Sequence, residues 1–97
     1  MKAHELLTDP RRFTTGTLAR DKKGEACGTL KGSGAVKFDA LGAIFYCYQN
    51  GAHNQPLKKD GPTPCGKARE IAKEMFNTTL GRLNYQEALA VLRAADV

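Results

Sequence analysis

The sequence predicts a small single α+β domain over residues 1–97: a β-hairpin packed on three to four helices, with a central apolar helix at about 35–49. Three observations lead there. A threonine-rich stretch, Phe13–Ala19, runs into Asp21-Lys22-Lys23-Gly24, the composition of a tight turn between strands. From Val36 the apolar residues recur at helical spacing through Tyr48. Two later segments begin with helix caps, Thr63-Pro64 and the pair Asn84 with Glu87.

Lys2–Leu7 is a short helical segment. Asp9-Pro10 closes it, because the residue before proline disfavours the α region. Phe13–Ala19 and Glu25–Leu30 are the expected strands. An isolated hairpin is marginal in water, so it must lie on the helices or pair with another copy. Lys31-Gly32-Ser33-Gly34 breaks the chain before the central helix. In that helix Val36, Ala40, Leu41, Ile44, Cys47 and Tyr48 share one face, while Phe38, Ala43, Phe45 and Tyr46 fall elsewhere on the wheel. It is therefore apolar on most sides, which predicts burial. Gly42 inside it costs about 1 kcal/mol against alanine, and predicts close approach by another backbone. Asn50-Gly51 is the expected stop. After a polar loop, the helix opened by Thr63-Pro64 directs Cys65, Ala68, Ile71, Ala72, Met75 and Phe76 inward. The last helix does the same with Ala88, Leu89, Val91, Leu92 and Ala95.

With 97 residues, the chain buries ~60–65% of its unfolded surface, and self-association would add stability. The apolar excess of the central helix points to a partner as well, a second copy of the chain. The net charge of +5 favours anionic partners. The three cysteines include no C-x-x-C pair, which argues against a zinc ribbon or a dithiol redox site. No metal and no cofactor is expected. The first residues, MKAHELLTDPRR, lack the apolar core of a secretory signal. The longest apolar stretch, around Ala40–Tyr48, is too short to span a bilayer. The expected setting is reducing and cytoplasmic.

The run L-A-R-D-K-K-G at 18–24, then A-V-K-F-D-A-L-G-A-I at 35–44, then F-N at 76–77 before a capped last helix, resembles a domain-of-unknown-function family of small phage and actinobacterial proteins. Its pattern reads roughly A-R-D-x-x-G, a spacer, A-V-x-W-C-A-x-G-A, then F-N-D. The resemblance covers residues 13 to 95, carried by about a dozen positions, and it implies no particular activity. Where the family pattern has Trp-Cys, this chain has Phe38-Asp39. Either that position is structural, or this protein is a non-catalytic relative.

Candidate site residues cluster early in the chain. Lys31-Gly32-Ser33-Gly34 ahead of a helix has two readings. It is a connector into a buried helix, the preferred reading, or an anion site in which free amides, the helix dipole, Ser33, Lys31 and Lys37 meet a phosphate. It is neither a Walker A loop nor a G-x-G-x-x-G turn. Arg11, Arg12 and Arg20 extend the same basic region: seven of the fifteen basic residues lie between 11 and 37. That stretch is either a solvated hairpin or a phosphate-facing surface. Arg20-Asp21 is alternatively an internal ion pair that fixes the turn. Asp39, Cys47 and His53 have no mutual spacing that orients a catalytic set, and Asp39 is better read as complementing a helix dipole. The function expected from these features is non-enzymatic: capture of a phosphate-bearing anion, a nucleotide signal or nucleic acid, to counter a host defence. The alternative is a protein-interaction module that inhibits a host protein or nucleoprotein.

Overall fold

The computed structural model describes all 97 residues, and the fold is α+β. Four helices, α1 (Ala3–Leu6), α2 (Ala40–Cys47), α3 (Pro64–Phe76) and α4 (Tyr85–Ala95), accompany a two-stranded antiparallel sheet of β1 (Ala19–Arg20) and β2 (Lys37–Phe38), which α2 contacts through β2. No helix is long and apolar enough to cross a membrane.

The antiparallel pair forms with a different partner from the one the hairpin pattern predicts. Ala19 faces Phe38 and Arg20 faces Lys37, whereas 25–30 contributes a single bridge, Ala26 to Arg20. Burial decides between them. Val36-Lys37-Phe38 places the Phe38 ring in the core, 1% exposed, while Leu30 at the end of the expected strand is 64% exposed. The turn itself forms as predicted. The Asp21 carboxylate accepts the amides of Lys23 and Glu25, and Gly24 takes the left-handed conformation. On its other side β2 bridges to Phe13.

The central helix starts at Ala40 rather than 35, because the residues before it are in the sheet. The Val36 amide donates to the Arg20 carbonyl and the Asp39 amide to the Leu18 carbonyl. Asp39 then caps the helix, its Oδ1 accepting the Gly42 amide. At the other end Gln49 caps the last turn: its Nε2 donates to the Tyr46 carbonyl at 2.8 Å and to that of Thr29 at 2.9 Å. Asn50 and Gly51 follow, both left-handed, and reverse the chain.

The predicted caps of α3 and α4 are present. Thr63 Oγ1 accepts the Gly66 amide at 2.9 Å with Pro64 at the first helical position. Asn84 and Glu87 bond each other's amides reciprocally. The inner face expected for α4 is buried in full, Ala88, Leu89, Val91, Leu92 and Ala95. On α3 the small residues Cys65, Ala68 and Ala72 are buried, and Ile71 and Phe76 half-buried; Met75, expected inside, is 47% exposed. The two ends of the chain meet. The Ala3 amide donates to the Val97 carbonyl, and Lys2 Nζ lies 2.7 Å from Asp96.

Candidate functional site

The basic residues singled out from the sequence separate into engaged and free ones. Arg11 is engaged. Asp9 caps the 3₁₀ turn Pro10–Arg12 by accepting the Arg11 amide, and the Arg11 guanidinium closes back on the same carboxylate with two further bonds. Those bonds hold the Asp9 carboxyl below its ordinary pKa. Arg20 is engaged too: Nε donates to Thr14 Oγ1, Nη1 to the Gly24 carbonyl and Nη2 to the Thr15 carbonyl. It braces the turn without pairing with Asp21, whose carboxylate serves the turn amides.

The glycine-rich turn does not lead into a helix. Residues 35–39, including β2, lie between it and α2. It docks instead beside the far end of α2, where Gln49 Oε1 accepts the Lys31 amide at 3.3 Å. That is the end with the negative partial charge. The N-terminus of α2 is filled by its own Asp39 carboxylate, which is 7% exposed and whose pKa is raised by burial. The Ser33 hydroxyl sits between the Gly28 and Leu30 carbonyls. Gly32 and Gly34 are exposed with positive φ. Gly34 borders a shallow cleft of about 290 Å³ against the Asp21–Glu25 turn, lined by two lysines and two carboxylates.

Arg12, which has no carboxylate within ion-pair distance, lies beside Lys31 in one cleft and beside Lys37 in another. In the first, of about 270 Å³, it is joined by Lys31, Tyr46, Cys47 and Leu6. Lys31 Nζ stands 5.9 Å from the Tyr46 ring centre, a cation–π distance. Tyr46 is in turn packed on Phe38, with 4.6 Å between ring centres. Burial pushes the Cys47 thiol up, against smaller opposing pulls from the N-terminal amine and Lys31. In the second cleft, of about 340 Å³, Arg12 is joined by Lys37, Val36 and the Asp9–Arg11 pair.

Tyr46 and Cys47 meet Lys31 here because the Lys31 loop docks on Gln49, a contact between residues 18 apart in sequence. Asp39, Cys47 and His53 do not assemble. Asp39 and Cys47 occupy opposite ends of α2, and His53 packs on the Phe45 ring at 4.3 Å. The segments that carry the family resemblance fold onto one another: Ala19-Arg20 pairs with Lys37-Phe38, and Gly42 lies against Leu18. Phe38 and Asp39, at the Trp-Cys position, serve as core residue and helix cap. Compared with family models, with curated proteins and with solved structures, the chain has no match among any of the three.

Proposed function

We propose that the protein is a non-enzymatic, phage-type binding protein that captures a phosphate-bearing anion in the host cytoplasm and so counters a host defence. The observation that carries this reading is Arg12. One unpaired guanidinium borders two neighbouring clefts, with Lys31 in one and Lys37 in the other. A guanidinium binds phosphate through two parallel donors, and the lysines add point charges on either side. Tyr46 offers a ring beside Lys31 for the organic part of a nucleotide. The resemblance to small phage proteins supplies the biological setting.

A second reading is favoured by one observation. Met1, 80% exposed, lines the Lys31 cleft, and Leu30, the chain neighbour of Lys31, is 64% exposed. A basic surface with apolar borders also suits an acidic host protein or nucleoprotein. Self-association belongs to the same proposal. Leu41, Phe45, Tyr46, Cys47 and Tyr48 of the α2 region pack against the chain's own core, which leaves Leu57 and Met75 as the remaining exposed apolar residues for a second copy.

Native mass spectrometry of protein freshly purified from lysate tests the proposal. A nucleotide-sized adduct that is absent from an Arg12→Glu, Lys31→Glu variant supports capture, and the subunit mass reports assembly. A clean mass, together with no binding to a panel of nucleotides and oligonucleotides, overturns it.

A further inference from the structure

The largest cleft lies elsewhere, between the second half of α3, the turn that follows it, and α2. Its volume is about 580 Å³, within the range of small-molecule sites and larger than the clefts at Arg12, which are about 270 and 340 Å³. Leu41 from α2 and the buried Leu80 are its apolar lining residues. Arg69 and Lys73, on successive turns of α3, line it from that helix. Asn77, Thr78 and Thr79 line it from the turn that follows.

The polar side chains of this cleft are unoccupied by the rest of the protein. Arg69 and Lys73 take part in none of the three ion pairs. Thr79 begins the 3₁₀ turn Leu80–Arg82 without using its hydroxyl as a cap. No carboxylate lines the cleft. The C-terminal end of α3 faces the same space, but its partial charge of about −0.5 is outweighed by two full positive charges.

We infer that this cleft is a second binding site, for a small organic anion with a planar or apolar body. The body lies on Leu41 and Leu80, the anionic group lies between Arg69 and Lys73, and polar edges meet Asn77, Thr78 and Thr79. The site is independent of Arg12. The helical pattern of the sequence assigns Arg69 and Lys73 to the solvated side of α3, and the cleft exists because the turn after Asn77 folds back alongside them.

Amide chemical-shift titration by NMR tests the site with four probes: AMP, phenyl phosphate, adenosine and inorganic phosphate. The expected result is saturable shifts at Thr78, Thr79 and Gly81 with AMP or phenyl phosphate, in the millimolar range or tighter. Adenosine and inorganic phosphate, which each lack one half of the recognition, should bind at least about tenfold more weakly. An Arg69→Gln, Lys73→Gln variant should lose about tenfold in affinity, while Arg12→Glu should leave these shifts unchanged. A Thr78→Val, Thr79→Val variant gives a second test should the first alter the fold. Absence of shifts at these amides overturns the inference. Equal response to inorganic phosphate alone, or indifference to both double variants, overturns it as well. Failure of capture at Arg12 leaves these readouts unaffected, so the two proposals fail separately.

Discussion

Gly42 lies so close to the Leu18 carbonyl that a Cβ built at Gly42 would stand 1.8 Å from that oxygen. The contact is between two backbones, with α2 pressed onto the end of β1. The same Leu18 oxygen accepts the Asp39 amide, so the carbonyl cannot swing away without uncapping the strand-to-helix junction. Gly42→Ala should therefore destabilise by about 3 kcal/mol or more, above the usual penalty for overpacking. Gly81→Ala, where an added Cβ meets no atom within 4 Å, should stay within about 0.5 kcal/mol of wild type. Urea unfolding of the two variants checks the contrast.

Asp39 combines a useful bond with an unfavourable burial. Its carboxylate caps α2 by accepting the Gly42 amide, yet burial raises its pKa. A carboxyl whose pKa is higher in the folded state binds its proton more tightly there. Its contribution to stability therefore falls as pH rises from the ordinary carboxylate range through the raised value. Asn caps as well as Asp and carries no charge. Asp39→Asn should match or exceed wild-type stability at pH 7 and flatten this part of the pH dependence. Asp39→Ala should lose about 0.5–2 kcal/mol. Thermal unfolding between pH 3 and 7 separates the three proteins.

Arg11 and Arg12 are neighbours with opposite expectations. Arg11 is closed onto Asp9 and Arg12 is unpaired. Arg12→Ala should weaken anion binding at this face several-fold and reduce its salt dependence. Replacing the pair together, Asp9→Asn with Arg11→Ala, should do less, since the two charges already compensate each other. Titration with a fluorescent nucleotide at two salt concentrations ranks them, and an equal loss from both would contradict the assignment.

Gln49 holds the Lys31 loop against α2 through bonds to the Thr29 carbonyl and the Lys31 amide. Gln49→Ala removes both, along with the cap on the Tyr46 carbonyl. The expected loss is about 1–3 kcal/mol. Hydrogen exchange should speed at the Lys31 amide, and anion binding at the Arg12 clefts should fall because Lys31 loses its position. Unchanged exchange there would show that the loop is held by other contacts.

Tyr85 joins the two ends of the fold, its hydroxyl donating to the carbonyls of Leu7 and Thr8 at 2.6 and 3.0 Å while its ring meets Phe13 edge-on. Tyr85→Phe keeps the ring contact and loses the bonds. It should cost about 1 kcal/mol, measured by urea unfolding.

What the sequence determined by itself was local. The caps at Thr63 and at Asn84 with Glu87, the Asp21–Gly24 turn and the buried face of α4 follow from side chains acting within a few residues of their own backbone, and all form as their patterns predict. The close approach at Gly42 was also legible, because a glycine inside an apolar helix lowers stability unless a neighbouring backbone needs the space a Cβ would fill. Strand partnership was not. Glu25–Leu30 is the partner the pattern predicts and Val36–Phe38 reads as the start of the helix, but only the latter carries a large ring to bury in a core built by distant helices. That choice moved the start of α2 to Ala40 and carried the glycine-rich turn to the other end of that helix. Arg11 and Arg20 find acceptors within six residues of themselves, whereas the fold brings Arg12 beside Lys31 in one cleft and beside Lys37 in another. Charge can be counted in a sequence, but whether a charge is compensated depends on which acceptors the fold brings within about 3 Å of it.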